Sequence, residues 1–149
     1  MKLIVNTEPN MAQLLRTART IAVVGLSPKP HRESFGVARY LQAAGYRILP
    51  VNPIVAASGE PTILGELCHP SLLSAGQSLP AGQKLDLVNV FRNSEDVPPV
   101  AQEAVAVGAQ ALWLQLGIRN DGAAVLALSH GLLVWQDCCI KIEHRRIFG

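Results

Sequence analysis

Hydroxyl and basic side chains gather just after a short apolar run, residues 21–24, that ends abruptly at Gly25. Those side chains are Ser27, Lys29, Arg32 and Ser34. If the run is a strand and a helix opens near Ser34, backbone N–H groups and the positive end of the helix dipole face the loop between them. Lysine and arginine add positive charge, and arginine can donate two parallel hydrogen bonds to one phosphate. This pattern predicts a phosphate-binding loop after the first strand.

Three later predicted strands also end in residues that suit a ligand site. These residues form three pairs: Asn52 and Pro53, Phe91 and Arg92, and Gln115 and Gly117. An asparagine or glutamine amide can hydrogen-bond a ligand, phenylalanine offers an apolar face, and arginine adds a charge. Each pair also has a structural interpretation, as a turn, as core packing at a strand end or as shaping of a loop. The sequence leaves both interpretations open.

Apolar strands alternate with amphipathic helices along most of the chain, a pattern typical of parallel strands covered by helices on both faces. The clear strands are 20–25, 47–51, 85–90, 111–114 and 132–135, with a further short candidate at 61–64. The pattern predicts an α/β, Rossmann-like, doubly wound and mainly parallel sheet of five or six strands. With a crossover after the third strand, the strand order would be 3-2-1-4-5-6. Residues 25–32 and 91–92 would then flank a ligand crevice.

The sequence also makes two local predictions. Ser34 is expected to cap the helix after the loop, because a serine oxygen accepts well from the free N–H groups of a helix start. A helical turn is expected near residues 71–73. Residues 74–83 contain serine, glycine and proline and are expected to form a surface loop.

The whole chain narrows the classes of function. Its 149 residues predict one domain, 1–149, and 49% hydrophobic with 16% charged residues describe a core-rich globular protein. A net charge of +2 argues against nucleic acid as a partner. No apolar run approaches the roughly 20 residues of a membrane span.

Three cysteines make no disulfide framework, so a cytoplasmic location is expected. The expected partner is a small molecule, with a homo-oligomer or a partner protein left open.

An NAD(P)-linked oxidoreductase would carry G-x-G-x-x-G after the first strand and an acidic residue at the end of the second. Here Gly25 stands alone, since positions 27 and 30 are serine and proline, and the second strand ends in Asn52. These differences count against NAD(P) and leave such an oxidoreductase as the alternative. The P-loop pattern G-x-x-x-x-G-K-[ST] does not occur.

Cys139 has two interpretations. It opens a predicted helix, and a helix N-terminus lowers the pKa of a thiol. The carboxylates of Asp137 and Glu143 are close in sequence and oppose that effect. A buried structural thiol is therefore preferred, with a redox or mixed-disulfide role as the alternative. No metal is expected, because Cys68-His69 and the distant cysteine pair lack the spacing of a zinc site.

Several motifs occur in a fixed order: Val-Val-Gly-Leu-Ser (23–27), Pro-x-Pro-His-Arg-x-Ser (28–34), Pro-Val-Asn-Pro (50–53), Asp-Leu-Val-Asn-Val-Phe-Arg (86–92), Gly-Ala-Gln-Ala-Leu-Trp-Leu-Gln-Leu-Gly-Ile (108–118) and Asp-Cys-Cys-Ile-Lys-Ile-Glu (137–143). In these motifs the chain resembles the small stand-alone coenzyme A-binding proteins. Those proteins share their fold with the CoA-binding domain of the succinyl-CoA synthetase α subunit. The resemblance covers about residues 20–147, and only the long 74–83 segment departs from the usual pattern.

The resemblance implies coenzyme A or acyl-CoA as the cofactor. Lysine and arginine of the loop would meet its phosphates, the glycine would let the backbone approach, and the serine would offer a hydroxyl and an N–H. The asparagine would bond the adenine or ribose, and the phenylalanine would lie against the adenine or the pantetheine arm. The residues concerned are Gly25, Ser27, Lys29, Arg32, Asn52, Phe91 and Arg92.

The function implied is non-catalytic binding, as a sensor, carrier or accessory protein. The synthetase reaction needs a phosphohistidine and a second domain, and none of the four histidines here lies in a glycine-rich loop of the synthetase kind. Neither G-x-S-x-G nor H-E-x-x-H occurs. An interaction subunit with a vestigial pocket is a third interpretation.

Overall fold

The computed structural model describes residues 5–149 and contains a parallel sheet with helices on both faces. Its elements in chain order are α1 (Glu8–Thr17), β1 (Thr20–Val24), α2 (Glu33–Ala43), β2 (Arg47–Val51), α3 (Pro53–Ala56), β3 (Thr62–Ile63), β4 (Glu66–Leu67), α4 (Leu72–Gln77), β5 (Leu87–Val90), α5 (Val97–Ala106), β6 (Ala111–Leu114), α6 (Asp121–Ser129), β7 (Leu133–Trp135) and α7 (Ile140–Phe148). The sheet has five strands in the order β2-β1-β5-β6-β7, and each neighbouring pair is parallel. The predicted Rossmann-like α/β class is confirmed.

Side chains of the sheet alternate between two separate cores. In β1, Ala22 and Val24 pack into a core shared with α4, α5 and α6. Ile21 and Val23 pack into a second core shared with α1, α2 and α7. All residues of β1 are therefore buried. A strand buried on both faces has no solvent-exposed face that would carry polar side chains. These strands are therefore unbroken apolar runs in the sequence.

The predicted strand order 3-2-1-4-5-6 is wrong in its first member. The candidate third strand, β3, pairs antiparallel with β4 in a separate two-stranded hairpin. Leu64 and Gly65 join them with φ of 55° and 77°, and positive φ at both central residues is typical of a tight type I′ hairpin turn. The turn folds this segment back on itself. Beside β2, a single parallel bridge to His69 takes the place expected for a third strand.

Two short helices lie in the region that the sequence predicts least well. Helix α3 follows β2 directly, and α4 overlaps the expected loop, so that expectation is wrong over residues 74–77. The Ser71 hydroxyl caps α4 by accepting from the Ser74 N–H at 3.1 Å. Gly76 lets α4 approach α5 closely, because a Cβ there would lie 2.9 Å from a methyl carbon of Val107.

Both outer strands of the sheet carry hydrogen bonds on their outer sides. The Asn6 N–H donates to the Val134 carbonyl of β7 at 2.7 Å. Along β2, the His69 N–H donates to the Pro50 carbonyl at 2.9 Å, and the Asn52 N–H donates to the His69 carbonyl at 3.0 Å. Within residues 5–149, no helix is long and apolar enough to cross a membrane.

Candidate functional site

Within residues 5–149, two neighbouring clefts lie around the end of β5, at the carboxyl edge where parallel α/β sheets usually bind ligands. The first, of about 490 Å³, is bordered by the ends of β1, β2 and β5 and by α3, α4 and α5. The second, also about 490 Å³, is bordered by the ends of β5 and β6 and by the start of α2. Phe91, Arg92 and Glu95 line both clefts, so the two meet at the end of β5.

Gly25, just after β1, lies against the backbone at the end of β5. Its φ is +85°, and a Cβ there would lie only 2.6 Å from the Phe91 carbonyl oxygen. Its N–H donates to Val51 at 2.9 Å, and the Phe91 N–H donates to Val24 at 2.8 Å. Only glycine fits this backbone conformation and this space. A ligand in the first cleft therefore meets bare backbone at position 25.

The loop after β1 is held by two serine hydroxyls. The Ser27 N–H donates to Ser34 Oγ at 3.0 Å, and the Lys29 N–H donates to Ser27 Oγ at 3.1 Å. Ser34 lies inside the first turn of α2, and Arg32 is the N-cap residue, without a side-chain cap. The prediction that Ser34 caps α2 is therefore wrong, because its buried oxygen accepts from the loop instead. Lys29 and Arg32 are exposed on this loop and line neither cleft.

Asn52 ties the end of β2 to the loop after β1. Its Oδ1 accepts from the N–H groups of Ile54 and Val55 at 3.0 and 3.2 Å, which caps α3. Its Nδ2 donates to the Leu26 carbonyl at 2.9 Å. Pro53 is the first residue of α3, and both Asn52 and Pro53 line the first cleft. Contact between Asn52 and an adenine or ribose stays a prediction.

The α5 side of the first cleft carries negative charge that the sequence analysis missed. Glu95, Asp96 and Glu103 all line it. Asp96 forms an ion pair with Arg92 at 3.6 Å, and each side chain is roughly half exposed. Acidic residues at the start of the helix that follows Phe91–Arg92 are the signal that would have identified this wall. These carboxylates belong to α5 and the residues just before it, whereas Lys29 and Arg32 belong to the loop between β1 and α2.

The second cleft has a buried amide at its base. Gln115 is 1% exposed, and its Oε1 accepts from Asn89 Nδ2 and from the Ile140 N–H, both at 3.4 Å. Gly117 has φ of +84°, and its N–H donates to Asp137 Oδ1 at 2.7 Å. Both Gln115 and Gly117 line this cleft, and contact between them and a ligand stays a prediction. Asn89 was missed, although it lies inside the motif that ends in Phe91–Arg92.

The adjacent cysteines lie outside the residues that line the two clefts. Cys139 is buried at the start of α7. Burial, followed by the charges of Glu143 and Asp137, raises the pKa of Cys138 to about 12. A thiol with so high a pKa is protonated at neutral pH and is a poor nucleophile. The structural interpretation of Cys139 agrees with its burial, and its redox role stays untested. Among residues 5–149, no group of three His, Cys, Asp or Glu side chains is placed to hold a metal.

Known proteins match this chain over most of its length. The uncharacterized protein YneT of Bacillus subtilis (strain 168) is 36% identical over 138 residues, covering 93% of this chain and 94% of YneT. A solved structure from Thermus thermophilus, cell-free ID.343, is 34% identical with a TM-score of 0.84, covering 96% of this chain and 100% of that one.

A larger protein contains a similar fold in about a quarter of its length. The apo form of the dinucleotide-forming acetyl-coenzyme A synthetase 1 of Ca. Korarchaeum cryptofilum matches 81% of this chain and 27% of its own, with 23% identity and a TM-score of 0.58. At that identity the likeness shows the fold alone. A family model described as a CoA binding domain matches residues 19–145. The chain therefore belongs to this family of CoA binding domains, and its membership supports a CoA-binding role.

Proposed function

We propose that this protein binds coenzyme A or an acyl-CoA across the carboxyl edge of its sheet without converting it, as a sensor, a carrier or an accessory protein. The observation that carries the proposal is the meeting of two clefts at Phe91 and Arg92, beside the bare backbone of Gly25. Coenzyme A has a nucleotide at one end and a long neutral arm at the other. Two joined clefts suit the two ends of such a ligand.

The first cleft suits the nucleotide end. Apolar side chains of Val51, Leu72 and Val100 line it, and so does Ile54, which is 83% exposed. A planar adenine resting on Ile54 would remove apolar surface from water, which is worth about 25 cal/mol per Å². Asn52, at the rim of the same cleft, can offer its remaining amide hydrogen to the base or ribose.

Phosphates of the ligand belong beside the loop after β1 rather than beside α5. The first N–H groups of α2 have no partner within the helix and carry its positive dipole end. Lys29 and Arg32 add two exposed cations to the same loop. Glu95 and Glu103, at the α5 side of the first cleft, would repel a diphosphate. The charge distribution therefore favours a diphosphate over Gly25, with the 3′-phosphate near the exposed basic residues.

The non-catalytic part of the proposal is supported by where the reactive side chains lie. Within the described part of the chain, neither cleft is lined by a histidine or a cysteine. His144 lies half-buried on α7 and contacts the Tyr40 hydroxyl through Nδ1 at 2.8 Å. Cys138 has a pKa of about 12. The charged side chains that line the two clefts are carboxylates and Arg92, and these groups can orient a charged ligand.

Calorimetry with CoA, acetyl-CoA, NAD, NADP and ATP tests this function directly. We expect CoA and acetyl-CoA to bind at least tenfold more tightly than the other three nucleotides, and acetyl-CoA to be recovered unchanged after prolonged incubation. Tighter binding of NADP, or hydrolysis of the thioester by the pure protein, would contradict the proposal. Mass spectrometry of the ligand that co-purifies with native protein gives an independent answer.

A further inference from the structure

Two buried amide atoms beside the second cleft have no hydrogen-bond partner among residues 5–149. They are the Gln115 Nε2 donor and the Asn89 Oδ1 acceptor; the indole Nε1 of Trp135 is a further buried atom in the described chain without a partner. Gln115 is 1% exposed, and Asn89 is 0% exposed. Buried polar atoms nearly always have a partner, so each unpaired one needs an explanation. Of these three residues, only Gln115 lines the cleft.

The orientation of the Gln115 amide follows from its neighbours. Its Oε1 accepts from Asn89 Nδ2 and from the Ile140 N–H, both at 3.4 Å. Turning the amide over would place an NH₂ group against two other donors. The unpaired atom of Gln115 is therefore a donor, and a partner for it must be an acceptor such as an oxygen.

The charges of the second cleft indicate which part of a ligand would supply that oxygen. Glu33 and Glu95 contribute two carboxylates, and Arg92 contributes one cation. The pantetheine arm is neutral, so these carboxylates do not repel it, and it carries two amide carbonyls. An acyl group adds a thioester carbonyl at the end of the same arm.

We propose that Gln115 Nε2 donates a hydrogen bond to a carbonyl oxygen at the arm end of bound CoA or acyl-CoA, so that Gln115 is a specificity-determining residue. This inference rests on the proposed function. The shared chemistry is a carbonyl oxygen, from an arm amide or from a thioester. In either case Gln115 distinguishes ligands that carry the arm from those that contain only the nucleotide.

The test is calorimetry with CoA, acetyl-CoA and adenosine 3′,5′-bisphosphate, which lacks the arm. Gln115→Met keeps the length of the side chain and removes the donor. Gln110→Met is the matched control, because Gln110 is exposed near the opposite end of β6. Loss of one hydrogen bond should weaken binding about tenfold. We expect that loss in Gln115→Met for a ligand with the arm, unchanged bisphosphate binding, and wild-type behaviour in Gln110→Met.

The outcomes separate the inference from the proposed function. Weakening of both CoA and acetyl-CoA assigns the oxygen to an arm amide, and weakening of acetyl-CoA alone assigns it to the thioester. Equal losses for all three ligands, or no loss for any, overturn the inference, as expected if a buried water satisfies Nε2. If wild-type protein binds no CoA, the proposed function itself fails.

A second measurement uses unmodified protein in case Gln115→Met does not fold. The side-chain ¹⁵NH₂ signal of Gln115 should shift when CoA or acetyl-CoA is added and stay in place with adenosine 3′,5′-bisphosphate. Identical spectra with and without CoA, at a concentration that saturates binding, would overturn the inference.

Discussion

The carbonyl oxygen of Phe91 lies 2.6 Å from the position that a Cβ on Gly25 would occupy. Glycine at position 25 therefore does two things at once. It permits a φ of +85°, and it lets the ends of β1 and β5 approach at the point where the two clefts meet.

Gly25→Ala should destabilise the protein by about 2–4 kcal/mol, because a strained φ and a backbone clash act together. The measurement is urea unfolding followed by circular dichroism. Gly36→Ala is the control, since Gly36 lies inside α2 and a Cβ there meets nothing within 4 Å. That variant should be as stable as wild type or up to about 1 kcal/mol more stable. Equal stability of both variants would contradict the close approach.

Arg32→Ala should weaken CoA binding about tenfold without changing the unfolding midpoint, because Arg32 is exposed and its loss leaves the core intact. Calorimetry at two salt concentrations measures the effect, which should shrink at high ionic strength. Arg39→Ala, further along α2 and also exposed, is the matched control and should bind as wild type does. Unchanged CoA affinity in Arg32→Ala would show that Arg32 is not part of the CoA site.

Asn52 and Asn120 form a natural pair of variants. Each caps a helix with Oδ1, and each donates from Nδ2 to a carbonyl of another segment, Leu26 at 2.9 Å and Ser94 at 3.0 Å. Replacement of either by alanine should cost about 1–2 kcal/mol in chemical denaturation. Only Asn52→Ala should weaken CoA binding as well, since only Asn52 lines the first cleft. Similar affinities in the two variants would limit Asn52 to a structural role.

Stability should fall as the pH drops below neutrality. Burial lowers the pKa of His144, and burial together with the Arg47 charge lowers that of His69. An unfolded histidine has a pKa of about 6.5, so the unfolded state takes up protons first. The stability that the two neutral histidines contribute is complete above about pH 7.5, and it is lost as the pH falls from about 6.5 through their lowered pKa values. Thermal melts at pH 5.5 and 7.5 should show a smaller difference for His144→Asn than for His130→Asn, in which an exposed histidine is replaced.

Native protein should form no mixed disulfide with CoA disulfide. Cys138 has a pKa of about 12, and Cys139 is buried. Intact-protein mass spectrometry after incubation at pH 8 measures the adduct, and urea-unfolded protein is the positive control. An adduct on Cys139 in the folded protein would contradict this prediction and support a redox role for Cys139.

Of the residues predicted to flank a crevice, Gly25, Phe91 and Arg92 line a cleft, whereas Lys29 and Arg32 do not. The strands were predictable because a strand buried on both faces leaves an apolar run, as in Ile21–Val24. The position of the third strand was not predictable. A two-residue strand gives little periodicity, and the tight turn at Leu64–Gly65 contains a leucine at positive φ, which no residue preference indicates.

The roles of individual site residues were harder to predict from the sequence than their positions. Ser34 was expected at a helix cap, yet its oxygen accepts from Ser27 seven residues earlier. Asn52 was expected to face a ligand, and most of its hydrogen-bonding capacity holds α3 and the loop after β1. Partners of this kind depend on loop conformation, which the spacing of residues in a sequence does not determine.

The hydrogen bonds that Asn6 makes to β7 and His69 makes to β2 restrict how copies of this chain can associate. A strand from a second molecule would have to break them before it could extend the sheet, which protects against open-ended, fibril-like stacking. Association of two copies should therefore leave the sheet amides protected from hydrogen exchange to the same extent as in the monomer.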